Sequence, residues 1–178
     1  MTHQFTTSLR RDPWYLNEID HGELLKCLED IPAETFAAYH DEEEKYSASS
    51  IMSVNDGVAR IDISGPLATK VHPLVQMMFG VCDMGNVQDA LVAANEDSSV
   101  KGILLNIDSP GGTVRGTPET ANMVGAVACS KPVYAFTDSM MASAAYYIGS
   151  QADAIYATES STIGSIGVML PHVDMSEK

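Results

Sequence analysis

Residues 103–112 read Ile-Leu-Leu-Asn-Ile-Asp-Ser-Pro-Gly-Gly. The nearly continuous apolar run that opens at Val100 and ends at Ile107 reads as a strand buried on both faces, and such strands belong to parallel sheets covered by helices. The Pro-Gly-Gly after it forces a sharp turn, because Gly111 and Gly112 accept backbone angles and close approaches that a side chain would block. In open α/β sheets, sites form where such loops leave the carboxyl ends of strands. This one stretch therefore restricts the architecture and marks where chemistry is to be sought.

The flanking pattern agrees. Residues 58–64 alternate apolar and polar, a strand stopped by Gly65-Pro66. Residues 70–84 are Met-rich (Met77, Met78, Met84) and read as irregular. A helix is predicted over 86–95, with Val87, Ala90, Leu91 and Ala94 on one side. Another runs from Thr117 to about Ala128, with Thr117 as N-cap and Pro118 at the first helical position. Strands are predicted over 132–137, 154–158 and 165–170, and a helix over 143–150. Strands alternating with helices imply an α/β fold, a parallel sheet with right-handed βαβ crossovers. Residues 1–50 stand apart as a small helical N-terminal arm. Asp12-Pro13-Trp14 starts a helix carrying Leu16, Ile19, Leu24, Leu25 and Leu28, Ile31-Pro32 stops it, a second helix covers 33–44, and residues 47–50 read as a linker. The expected division is an arm and acidic linker over 1–50 and the α/β domain over 51–178.

Composition narrows the function. The formal net charge is −14, from 24 acidic and 10 basic residues, so a phosphate-binding surface of clustered Lys and Arg is excluded and no nucleic-acid partner is expected. Glu29, Asp30, Glu34 and the run Asp41 to Glu44 read as a solvated face. Cys27, Cys82 and Cys129 are widely spaced and fit neither a disulfide framework nor a zinc site. No metal and no cofactor is expected. The sequence has no apolar run long enough to span a bilayer and no apolar signal-peptide core at its N-terminus, so a cytoplasmic protein with no membrane partner is expected.

The second chemical feature is Ser143, within Met141-Ala-Ser-Ala-Ala. It follows a predicted strand and opens a predicted helix, so a helix N-terminus sits beside its hydroxyl. The small residues Ala142, Ala144 and Ala145 leave room for a substrate backbone. A serine placed there is equally a helix N-cap. Taken with the Gly-Gly turn, it suits acyl transfer: a hydroxyl that attacks a carbonyl, and backbone N–H groups aimed at the developing oxyanion.

At this point the sequence resembles a known family. Gly102-Ile-Leu-Leu-Asn-Ile-Asp-Ser-Pro-Gly-Gly-Thr, Lys131-Pro-Val-Tyr-Ala-Phe, Met141-Ala-Ser-Ala-Ala-Tyr-Tyr and Ser161-Thr-Ile-Gly-Ser-Ile-Gly-Val occur in the order found in the signal peptide peptidase A (SppA) serine peptidases, which share the ClpP/crotonase fold. The resemblance covers residues 58–170. It implies that Ser143 is the nucleophile of a serine endopeptidase. It also implies that the N–H groups of Gly112 and Ala144 form the oxyanion hole, and that Ser165 orients a lysine general base. That lysine must be neutral to accept a proton, which requires desolvation to lower its pKa. No lysine lies between Ser143 and Lys178, and the family spacing points past Lys178, so the base is expected beyond this chain and the chain alone is expected to be inactive.

Other candidates within the chain are weaker. His172, with Asp174 nearby, offers a ClpP-type alternative base. Lys70 is a candidate to line the cleft, whereas Lys101 and Lys131 precede strands at the far end and read as solvated. Asp108 reads as structural, accepting bonds from the turn. The N-terminal arm resembles the phage and prophage branch, the head-maturation (capsid assembly) proteases. That resemblance implies a peptide substrate among phage scaffold, portal or capsid proteins, and a homo-oligomer. Met77, Met78 and Phe79 then read either as subunit contact or as plain core. Two other functions stay open: a catalytically inactive assembly or scaffold module of the same fold, and a crotonase-like acyl-CoA enzyme, for whose phosphates nothing basic is at hand.

Overall fold

Asp56 and Gly57 both carry positive φ (50° and 80°), as a two-residue hairpin turn requires, in a computed structural model that describes residues 47–169. The hairpin joins β1 (Met52–Asn55) to β2 (Val58–Ser64) in antiparallel register, with Asn55 opposite Val58. Ahead of it lies a single helical turn, α1 (Ala48–Ile51), where a linker is expected from sequence; Ala48 and Ile51 pack against the core. Of the arm and linker expected over residues 1–50, residues 1–46 lie outside the described residues.

After β2 come β3 (Leu67–Ala68), α2 (Pro73–Phe79), β4 (Cys82–Asp83) and α3 (Met84–Glu96). Helix α2 falls where irregular chain is expected. It is bounded by ordinary signals: His72 caps it through Nδ1, which accepts from the Leu74 amide at 3.2 Å; Pro73 opens it; Gly80 closes it with φ 61°. Leu74 and Val75 are buried, but Met77 and Met78 are exposed, so these two methionines are not core. Asp83 caps α3, accepting from Gly85 N, and α3 buries Met84, Val87, Ala90, Leu91 and Ala94, the expected face.

The chain continues through β5 (Gly102–Asp108), α4 (Thr117–Ala128), β6 (Val133–Thr137), β7 (Met140–Ala142), α5 (Ala144–Gly149), β8 (Ala154–Ala157) and β9 (Thr162–Gly164). The N-cap of α4 is Gly116 (φ 87°), not Thr117; the Thr117 hydroxyl instead donates back to Thr113 O at 2.7 Å. The main sheet has the order β1-β2-β5-β6-β8, parallel throughout except for β1. Two short parallel pairs, β3-β4 and β7-β9, stand beside it. This is the expected α/β fold, with helices carried in the connections between parallel strands.

One face of the sheet carries the core. Ala59, Ile61 and Ile63 of β2, Ile103, Leu105 and Ile107 of β5, and Val133 and Ala135 of β6 are buried in one cluster with the inward residues of α3, α4 and α5. The residues of opposite parity are half-buried or exposed, so among the described residues β5 is covered on one face only, not on both as its composition suggests. No helix among the described residues is long and apolar enough to cross a membrane.

Candidate active site

The register of the sheet brings the carboxyl ends of β2 and β5 level, with Ser64 beside Asp108. The chain that leaves β5 is then held on two sides. Leu67 of β3 donates to Gly111 O at 2.8 Å and accepts from Thr113 N at 2.8 Å. On the other side Ser109 N donates to Met140 O at 2.8 Å, and Ala142 N donates to Ser109 O at 3.1 Å. The Gly-Gly turn is thus wedged between β3 and β7, and β7 leads directly into Ser143.

Ser143 sits between β7 and α5 with φ 54° and ψ −119°, backbone angles that a residue with a side chain seldom adopts. Such strain costs on the order of 1–3 kcal/mol and persists only where the surroundings enforce it. Here they do: Ser143 N donates to Gly164 O at 2.8 Å, and Ser143 O accepts from Tyr147 N at 2.9 Å. The helix begins one residue later than expected, and the Ser143 hydroxyl caps none of its amides. The residue is 6% exposed. A strained serine at a strand-to-helix elbow, its hydroxyl unspent on capping, is the arrangement that presents a nucleophile.

The glycines fit against this elbow. A Cβ on Gly111 (φ 103°) would lie 2.8 Å from Ser143 Cβ and 3.0 Å from Ala144 N, and one on Gly112 would lie 1.8 Å from Leu67 O. Because the Gly111 carbonyl is turned to Leu67, the trans peptide points the Gly112 N–H away from β3. Ala144 is the first residue of α5, where helical amides have no partner within the helix. Among the described residues neither of these two N–H groups has an acceptor. Two unspent amides beside a buried hydroxyl can receive an oxyanion.

Ser165 follows Gly164, whose carbonyl holds the Ser143 amide; it is exposed and has φ 55°. The strand expected over 165–170 is absent from 165–169. The strand is instead β9, paired with β7 from Met140–Thr162 to Ala142–Gly164, and the positive φ of Gly164 (133°) and Ser165 then turns the backbone out of the extended form. Lys70 is exposed beyond β3. Asp108 is exposed too, and the bonds to the turn that sequence assigned to it are made by Ser109, whose hydroxyl accepts from Gly111 N. Lys131 is not simply solvated: its Nζ donates to Ala94 O and Asp97 O at 2.8 and 2.7 Å, closing the C-terminus of α3. Lys101 is exposed, as expected, and His172 and Asp174 lie outside the described residues. Sequence reasoning also missed Leu67 and Gly164, whose contributions are main-chain atoms and leave no mark in side-chain chemistry. Cys82 offers no rival nucleophile, since burial, with the Asp83 carboxylate beside it, pushes its thiol up to about 12.

Residues 126–178 match the family model described as peptidase family S49. The S49 match includes β6, β7, the Ser143 elbow and β9. The chain is 34% identical over 138 residues to capsid assembly protease C of Escherichia phage lambda, covering 78% of this chain and 31% of the relative. It is 37% identical over 125 residues to head-tail preconnector protein GP5 of Enterobacteria phage P21, covering 69% of this chain and 24% of the relative. With Protease 4 of Haemophilus influenzae the identity is 37% over 93 residues, covering 48% of this chain and 14% of the relative. The chain thus spans less than a third of the length of these relatives. Among solved structures, an enoyl-CoA hydratase/isomerase family member is similar at a TM-score of 0.49 and 18% identity, covering 64% of this chain and 48% of that one. The resemblance to the SppA family read from the four motifs, and to its phage branch read from the N-terminal arm, agrees with the S49 match and with these relatives.

Proposed function

We propose that the chain is the nucleophile-bearing part of an SppA-like serine endopeptidase that processes phage scaffold, portal or capsid proteins during head maturation. The observation that carries this reading is the strained Ser143 elbow, set against a Gly111-Gly112 turn with two unspent amides. The Ser143 hydroxyl attacks the peptide carbonyl and its proton passes to a general base. The Gly112 and Ala144 N–H groups hold the oxyanion, a contribution worth roughly 2.7–4 kcal/mol per donor in such sites. Collapse of the tetrahedral intermediate expels the amine, which takes the proton back from the base, and water then hydrolyses the acyl-serine. The base in this reading is a lysine oriented by Ser165, and it is not among residues 144–177, which contain none. The relatives named as a capsid assembly protease and a preconnector support the choice of phage structural proteins as substrate and of phage-head partners.

A fluorophosphonate probe tests the reading. Labelling at Ser143, slow without the lysine base and abolished in Ser143→Ala, is the expected result. A folded chain in which Ser143 takes up no label even slowly would favour the second reading, an inactive assembly module of the same fold. The reading frame beyond Lys178 tests the base separately: no lysine within about 30 in-frame codons would rule out the Ser–Lys dyad.

A further inference from the structure

Ser109 is fully buried, and its side chain is engaged twice. Its hydroxyl donates to Gly65 O at 2.7 Å and accepts from Gly111 N at 3.1 Å. Its own main chain binds β7 on both sides, through Met140 O and Ala142 N. One residue thereby joins the end of β2, the Gly-Gly turn and the strand that delivers Ser143. No hydrogen bond joins it to Ser143.

We infer that Ser109 is a positioning residue for the acyl-transfer site: its hydroxyl fixes the Pro110–Gly111 peptide, so that the following Gly112 N–H keeps its aim beside the Ser143 elbow. The inference rests on the proposed serine-peptidase reading and adds a residue to it. The physical reason is the directionality of the two bonds. Among the described residues the Gly111–Gly112 peptide is anchored only by its carbonyl, through Leu67 N. With Gly111 N also held, the peptides on either side of Gly111 cannot rotate independently; with it released, the glycine at φ 103° is free to flip. Removing the hydroxyl also leaves the half-buried Gly65 O and the buried Gly111 N short of a partner.

The test compares fluorophosphonate labelling of the full chain with Ser109→Ala and Ser109→Thr, separating kinact from KI, beside melting curves. In folded Ser109→Ala, kinact is expected to fall about tenfold or more with KI unchanged, the signature of lost oxyanion alignment. Ser109→Thr keeps the hydroxyl and is expected to label within about threefold of the unsubstituted chain, a comparison that stands even where the alanine variant does not fold. An unchanged kinact in folded Ser109→Ala, or a folded threonine variant whose kinact falls about tenfold, would overturn the inference. Amide hydrogen exchange over residues 109–114 is the independent arm. About tenfold faster exchange at Gly111 and Gly112 in Ser109→Ala is expected, and unchanged exchange would overturn the inference whether or not Ser143 labels. An unlabelled but folded parent chain with the exchange difference intact would sink the peptidase reading alone.

Discussion

At Gly112 the main chain of Leu67 comes so near that a single added methyl would sit 1.8 Å from a carbonyl oxygen. The three nearest atoms are all Leu67 main chain, with no flexible side chain to yield, so Gly112→Ala forces β3 away from the turn. Overpacking of this kind costs about 1–3 kcal/mol and often more. We expect a fall in stability of at least about 2 kcal/mol in urea unfolding; a change under about 0.5 kcal/mol would contradict the close approach. Gly111→Ala combines strain at φ 103° with contact at Ser143 Cβ, so labelling of Ser143 is expected to fall more steeply than stability does. Cys82 and Cys129 contrast in the same way. The first is buried and its thiol is held protonated, the second is exposed. In the native protein at pH 8, a disulfide reagent is expected to modify Cys129 within minutes and Cys82 only on unfolding, as a mass of labelled peptides will show.

At the scale of elements, short side chains at strand and helix ends carry more of the organisation than hydrophobic period does. Asp83 ends β4 and begins α3: one carboxylate oxygen accepts from Gly85 N at 2.8 Å and the other from Val71 N at 2.6 Å. Asp83→Ala removes a helix cap and a loop tether together. The expected loss is about 1–3 kcal/mol by chemical denaturation, and Asp83→Asn, which keeps one acceptor oxygen, should lose less. Helix α3 itself was legible because Val87, Ala90, Leu91 and Ala94 repeat on one side. Helix α2 was not, because its seven residues expose Met77 and Met78 and give too short a period to recognise. The hairpin at Asp56-Gly57 was legible in principle, since that dipeptide is among the strongest short-range turn signals. The β7-β9 pair was not: three-residue strands have no periodicity, and only their partnering makes them strands.

Across the described residues as a whole, one apolar cluster lies under one face of the sheet, and the opposite face bears half-buried Leu104 and Phe136 with exposed Tyr134 and Tyr156, whose rings meet edge to face at 6.0 Å. The cluster also sets a pH limit on stability. Cys82 keeps its proton in the folded state up to about pH 12, whereas in the unfolded chain it loses it near its ordinary value of 9.0. The unfolded state is therefore favoured progressively as pH rises between those values, and the stability present below pH 9 is lost on the way to the folded pKa. Unfolding free energies measured from pH 8 to 11 should fall less steeply in Cys82→Ala than in the parent; parallel slopes would show that the thiol is not the responsible group.

The sequence by itself determined the alternation of strands and helices, the parallel sheet, and the pair of segments, 108–112 and 141–145, in which the site is built, because hydrophobic period and Gly-Pro chemistry are local. The tertiary structure alone decided how those segments meet. The wedge of the turn between Leu67 and β7, the positive φ of Ser143 held by Gly164, and the bond from the Ser109 hydroxyl to Gly65 O join atoms far apart in the chain. They are mostly main-chain hydrogen bonds, which every residue type can make, and so they carry no signature in the order of side chains.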